Sequence, residues 1–171
     1  MKINKLILVP TGITAFRIVL SILFLDLLIN NMKIVAILVF LLAIITDAFD
    51  GYSARKLGVS SDYGAYFDIT ADFILVLVAF LTFIIIGIYP YWLLLLIILV
   101  FLQFILTSKL NVLVYDPVGK YYGAFLFAVI LVTLISPPIY YSFLLIATIL
   151  FTILSLVSRY LFFIFRKTVE K

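Results

Sequence analysis

Five of the eight acidic residues in this 171-residue chain fall between positions 47 and 72, and four of them form two close pairs: Asp47 with Asp50, and Asp68 with Asp72. Spacings of three and four put both members of a pair on one face of an α-helix. Carboxylates gathered in one place repel each other, so a cation must balance them. An all-oxygen set suits a hard divalent ion such as Mg²⁺ or Mn²⁺, which often keeps some of its waters and bridges substrate phosphates. Histidine and cysteine are both absent. Their absence removes disulfides, thiolate chemistry, Ser/His and Cys/His nucleophilic pairs and the usual zinc sites. Carboxylates, hydroxyls, Lys and Arg are left to carry any reaction, and a phosphate-bearing substrate follows from the metal.

The elements that must position these aspartates are membrane helices. Hydrophobic residues make up 67% of the chain and charged ones 12%, and the mean hydropathy is +1.39, so lipid is the expected solvent. Six hydrophobic stretches follow in order, at about 13–29, 33 to 52–56, 63–88, 92–107, 121–135 and 139–165. Most approach or exceed the roughly 20 residues that span a bilayer core, and the fourth and fifth must be extended by their neighbours. The expected fold is all-α: a polytopic integral membrane protein with six transmembrane helices in a single domain over 1–171. Residues 1–12 form a short interfacial lead-in, and Pro10-Thr11-Gly12 opens the first helix. Pro90, Pro137 and Pro138 mark tight turns, and residues 109–120 form a polar loop. The first apolar run carries Arg17 and Asp26 and lacks a small-residue cleavage site, so it reads as a retained helix.

Cationic residues set the orientation. With six spans, Lys2, Lys5, Arg55, Lys56, Lys109, Lys120, Arg166, Lys167 and Lys171 share one side, and the opposite loops contribute Lys33 alone. The positive-inside rule then places both termini and the loop between the aspartate pairs in the cytoplasm, in a protein integral to the cytoplasmic membrane. The net charge of +4 is spread along the chain. It forms no basic tail or aromatic-interleaved patch for nucleic acid, so the expected partners are membrane lipids and anionic ligands.

In this arrangement Asp47 lies roughly 12 Å inside the cytoplasmic end of the second helix, and Asp68 and Asp72 roughly 8 to 14 Å beyond the start of the third. The carboxylates meet at similar depth, facing a polar cavity open to the cytoplasm. Carboxylates at membrane depth are costly and mark an ion or substrate path. Gly51 and Ala54 lack the bulk that would keep a nucleotide or a neighbouring helix from the backbone, and Arg55 is a permanent cation suited to phosphate. An ion-coupled transporter using the aspartates as a cation site is the rival reading. It lacks inverted repeats and mid-membrane Gly/Pro breaks, and it leaves Gly51, Ala54, Arg55 and Gly64 unexplained.

The stretch Asp47, Asp50, Gly51, Ala54, Arg55, Gly64, Asp68, Asp72 resembles, at every fixed position, the signature D-x2-D-G-x2-A-R-x8-G-x3-D-x3-D of the CDP-alcohol phosphatidyltransferase family. The resemblance implies transfer of a phosphatidyl, or archaeal-type lipid phosphate, group from a CDP-linked lipid to a small alcohol, with release of CMP. It implies two Mg²⁺ (or Mn²⁺) ions on Asp47, Asp50, Asp68 and Asp72, with Asp72 also the base that takes the acceptor's proton. Gly51, Arg55 and Ser61 would hold the cytidine diphosphate, with Ala54 and Gly64 as the other fixed positions of that binding stretch.

The segment Pro10-Thr11-Gly12-Ile13-Thr14-Ala15-Phe16-Arg17 resembles the family's Pro-Asn-x-(Ile/Leu)-Thr-x-x-Arg opening, with Thr11 in place of Asn. Thr11, Thr14 and Arg17 are therefore candidate nucleotide contacts. A lone cation at Arg17's depth is expensive, so it is expected to pair with the acidic cleft or a lipid phosphate. Lys109, Lys120 and Arg159 are candidates for a phosphorylated acceptor, and Gln103, Thr107 and Ser108 for hydrogen bonds between helices. Phe73 stands where members that make phosphatidylglycerophosphate tend to carry Lys, and Asp-Ile-Thr-Ala-Asp replaces the Asp-Ser-Leu-Ala-Asp of serine-type members. Neither subfamily fits cleanly. Family members pair as homodimers, which the resemblance extends to this chain.

Overall fold

The computed structural model describes residues 5–56, 62–107 and 117–169, and within them the side chains of 16–46, 69–107 and 117–163. Six α-helices account for nearly all of them, and no strand occurs among the described residues. They are α1 (Lys5–Ile29), α2 (Lys33–Lys56), α3 (Asp62–Ile85), α4 (Tyr91–Thr107), α5 (Tyr122–Ile135) and α6 (Tyr141–Val169). Single 3₁₀ turns, Gly119–Tyr121 and Pro138–Tyr140, lead into α5 and α6. Five of the six expected stretches fall on these helices to within a few residues. The first differs, because α1 begins at Lys5 and runs through Pro10 and Gly12 without the expected break. Pro10 is the sixth residue of α1, so its missing N–H leaves the Leu6 carbonyl without that donor, while its fixed φ still suits a helix.

The chain divides into two compact units, Met1–Thr82 and Phe83–Lys171. In the first, α1 packs on α2. Leu20, Phe24, Leu27 and Leu28 recur at helical spacing on the buried face of α1, as do Ala36, Phe40 and Ala43 on α2. Phe24 and Phe40 meet with ring centroids 5.6 Å apart. The turn between them is closed by backbone bonds from Asn31 to the Leu28 carbonyl and from Met32 to the Leu27 carbonyl. That pairing needs a left-handed residue after the helix, and Asn31 supplies it at φ 60°. Gly87, at φ 80°, does the same after α3, where Gly87 and Ile88 bond to the carbonyls of Ile84 and Phe83.

In the second unit α4 and α5 both pack on α6. The Tyr89 hydroxyl shares a 2.6 Å hydrogen bond with Thr133, and Tyr122 shares one of 2.9 Å with Thr152. Burial pushes the Tyr89 phenol above its ordinary range, so it stays protonated there and able to donate.

Exposed faces are apolar in both units, and on α6 the polarity of a water-soluble helix is inverted. Exposed positions carry Val19, Ile22, Ile34, Leu38 and Leu42 in the first unit and Phe143, Ile146, Leu150 and Ile153 on α6. The buried face of α6 instead carries Thr148, Thr152, Ser155 and Arg159. A helix in water does the opposite. Pro138–Phe163, 26 residues at a mean hydropathy of 2.2, is long and apolar enough to cross a membrane. Apolar stretches of 10–17 residues occur at Lys33–Thr46, Ile69–Ile85, Tyr91–Thr107 and Gly119–Ile135.

Candidate active site

The eight signature positions all fall on helix. Asp47, Asp50, Gly51, Ala54 and Arg55 lie in the C-terminal half of α2, and Gly64, Asp68 and Asp72 in the N-terminal half of α3. Helical backbone at both pairs makes the three- and four-residue spacings one-face spacings. The side chains of Asp47, Asp50, Gly51, Ala54, Arg55, Gly64 and Asp68 lie outside the described residues, as do those of Thr11 and Thr14 on α1 and the whole of Ser61 and Lys109. Among the described residues no group of three or more carboxylates stands together.

Asp72 is described, and it meets Arg17. An Nη1 donor of the guanidinium lies 2.6 Å from Asp72 Oδ1, so α1 and α3 are joined by a charge-assisted hydrogen bond. Arg17 is 1% exposed, whereas the Asp72 side chain retains 30% of its surface. The pairing expected of Arg17 with the acidic residues is therefore present at Asp72, the last of the four aspartates. One turn further along α1 the buried Ser21 hydroxyl donates to the Arg17 carbonyl, 2.8 Å away, satisfying itself on its own helix. Around them Leu20 of α1 and Ala71, Leu75 and Val76 of α3 are buried. A charge pair in such surroundings is worth more, and costs more to break, than one in water.

The second unit has its own buried cation. Arg159, 4% exposed, donates from Nε to Thr107 Oγ1 at 2.5 Å and from Nη2 to the Phe104 carbonyl at 3.2 Å, with its guanidinium carbon 4.6 Å from the Phe104 ring centroid. Gln103 adds a bond from Nε2 to the Leu156 carbonyl at 3.2 Å. Gln103 and Thr107 thus tie α4 to α6, as expected of them. Lys120 sits in the 3₁₀ turn before α5, exposed, with Nζ 4.6 Å from the centroid of the neighbouring Tyr121 ring. The buried stripe of Thr148, Thr152 and Ser155 leading to Arg159 escaped the sequence reading, although its spacing of four, three and four marks one helix face.

Known proteins bear on this arrangement. The family model described as CDP-alcohol phosphatidyltransferase matches residues 7–154. Curated relatives include proteins named CDP-diacylglycerol--glycerol-3-phosphate 3-phosphatidyltransferase. The one from Wigglesworthia glossinidia brevipalpis is 36% identical over 73 residues, covering 41% of this chain and 40% of that protein. Its namesake from Escherichia coli (strain K12) is 38% identical over 74 residues, covering 42% and 41%. The alignment thus spans about two fifths of the curated relatives. The family match is far broader: it covers most of the chain and takes in α1 from its third residue, the whole aspartate stretch and the beginning of α6. By that match, this chain belongs to the CDP-alcohol phosphatidyltransferase family.

Proposed function

We propose that the chain transfers a phosphatidyl, or archaeal-type lipid phosphate, group from a CDP-linked lipid to a small alcohol and releases CMP. The observation that carries this reading is the complete aspartate signature on α2 and α3 inside a family match over residues 7–154. The acceptor's hydroxyl oxygen attacks the lipid phosphate's phosphorus, the bond from that phosphorus to the CMP oxygen breaks, and Asp72 takes the hydroxyl proton. With no histidine in the chain, a carboxylate is the natural proton acceptor. Gly51, Ala54, Arg55, Ser61 and Gly64, with Thr11 and Thr14, are assigned to the nucleotide and its diphosphate.

The donor set fits divalent metal. Four carboxylates on helical backbone at one-face spacings offer hard oxygen ligands of the kind Mg²⁺ and Mn²⁺ prefer. Asp47, Asp50, Asp68 and Asp72 are the residues that would hold two such ions. Bound there, the ions would neutralise the diphosphate and the departing CMP. The chain's own residues supply orientation and the proton acceptor.

Glycerol 3-phosphate is the acceptor to place first, because the curated relatives are named for it. Lys109, Lys120 and Arg159 are the cations assigned to its phosphate. The exposed apolar faces and the α6 span support an integral membrane protein. Six spans, a cavity open to the cytoplasm, cytoplasmic termini and a homodimer complete the proposal. No observation favours an ion-coupled transporter.

The test is CMP release from CDP-diacylglycerol by the purified chain with Mg²⁺. Glycerol 3-phosphate, inositol phosphate, inositol, serine and glycerol would be supplied one at a time. Glycerol 3-phosphate should give the fastest release. A faster rate with another alcohol would reassign the acceptor, and no alcohol-dependent release at all would end the transferase reading.

A further inference from the structure

We propose that Tyr122 is a positioning residue of the acceptor site: its hydrogen bond to Thr152 fixes the turn that carries Lys120 against α6, and so holds that amine for the acceptor's phosphate. The inference rests on the reading of Lys120 as a cation for that phosphate, and it adds a residue outside the aspartate signature. Two links run from Lys120 to α6, and Tyr122 belongs to both. The first is backbone: Lys120 is the middle residue of the 3₁₀ turn Gly119–Tyr121, and the Tyr122 N–H closes that turn on the Gly119 carbonyl. The second is the Tyr122 side chain, which is buried and ends 2.9 Å from the Thr152 hydroxyl on α6. Thr152 has one hydroxyl proton, and it goes to the Thr148 carbonyl 2.6 Å away. Tyr122 is therefore the donor, and Thr152 a fixed acceptor.

Ring contacts also join α5 to α6 here. The Tyr122 ring stacks on Phe151 with centroids 6.2 Å apart, and Phe125 stacks on the same residue at 4.2 Å. Stacked rings can slide over one another, whereas a hydrogen bond is directional, so the phenol sets the register of this end of α5. The link also points the right way. α5 and α6 are consecutive helices joined by the short stretch 136–140 and packed together, so they run antiparallel. Stepping back from Tyr122 to Lys120 therefore leads toward the same end of the unit as stepping forward from Thr152 to Arg159, about 10 Å along α6. The Lys120 side chain is exposed and its stem is flexible. Where its amine can reach is accordingly governed by where its backbone is fixed.

The experiment measures CMP release from CDP-diacylglycerol by the purified full-length chain with Mg²⁺, as glycerol 3-phosphate is varied. Wild type, Tyr122→Phe, Lys120→Met and the double variant would be compared. Phenylalanine keeps the ring and leaves Thr152 bonded to the Thr148 carbonyl, so Tyr122→Phe should stay folded. It should raise the KM for glycerol 3-phosphate about fivefold, the scale of having to order a loosened side chain on binding. The KM for CDP-diacylglycerol should not move. Lys120→Met should raise the KM for glycerol 3-phosphate at least about tenfold, for loss of a charge-assisted contact. The double variant should match Lys120→Met alone, because Tyr122 acts through the lysine. A folded Tyr122→Phe chain with the wild-type KM, or effects that multiply in the double variant, would overturn the proposal and leave Lys120 its role. If Tyr122→Phe does not fold, Thr152→Val removes the same bond from the α6 side, and a wild-type KM there overturns the proposal equally. Lys120→Met with the wild-type KM would remove the reading of Lys120 itself, and this inference with it.

Discussion

Asp72→Asn is expected to slow CMP release by about 10³-fold, within the range for loss of a positioned general base, while the protein stays folded. The two halves of that expectation have different origins. Asparagine keeps the size of aspartate and a carbonyl oxygen to accept the Arg17 Nη1 hydrogen bond that now ends on Oδ1. It loses the charge and the ability to take a proton, and with them both roles assigned to Asp72. Single-turnover release of CMP measures the first half, and helix content by circular dichroism with the elution volume in detergent measures the second. Near-normal turnover in a folded Asp72→Asn chain would take the base assignment away from this residue.

The second large effect is on stability. Arg17→Met should cost about 3 kcal/mol, the low end for removing one partner of a buried pair because the Asp72 side chain keeps 30% of its surface. In an Asp72→Asn background the same replacement strands no carboxylate and should cost about 1 kcal/mol, the scale of an ordinary hydrogen bond. The coupling energy is then about 2 kcal/mol, measurable by a double-mutant cycle on unfolding in detergent. Additive effects would mean that the 2.6 Å contact carries no net energy.

Helix count and most boundaries were legible because hydropathy is interrupted by residues with definite backbone preferences. Asn30-Asn31 ends α1 through the left-handed φ of Asn31, and Pro90 and Pro137-Pro138 precede α4 and α6. The same reasoning misplaced the start of α1, since Pro10 and Gly12 look like a break. A proline removes one helical hydrogen bond but keeps a helical φ, and α1 runs through both.

At the candidate site, the aspartate spacing pointed to a divalent ion and a phosphate-bearing substrate, and the resemblance of the whole signature to the CDP-alcohol phosphatidyltransferase family supplied the reaction class. The depth of Arg17 in the first span carried the expectation of an anionic partner, the acidic cleft or a lipid phosphate, but not that Asp72 would be one. That choice depends on how α1 is rotated against α3, and no single-helix periodicity contains it.

The buried stripe on α6 was missed for a different reason. Thr148 and Thr152 donate to carbonyls one turn back on their own helix, of Leu144 and Thr148, at 2.7 and 2.6 Å. A hydroxyl that satisfies itself locally gives no hint in the sequence of whether it faces lipid or protein. Tyr122, which meets Thr152, lies thirty positions away on another helix, a distance that helical spacing does not bridge.

The central claim is that the aspartates of α2 and α3 form one metal-dependent centre for phosphatidyl transfer. It is tested most directly by following CMP release from CDP-diacylglycerol and glycerol 3-phosphate across a Mg²⁺ titration. The wild-type chain would be compared with Asp47→Asn, Asp50→Asn, Asp68→Asn and Asp72→Asn. The account predicts no release in the presence of a chelator, saturable recovery as Mg²⁺ is restored, and a severe loss in each of the four variants. Release that ignores the chelator, or that survives at full rate in any one of the four folded variants, would contradict it.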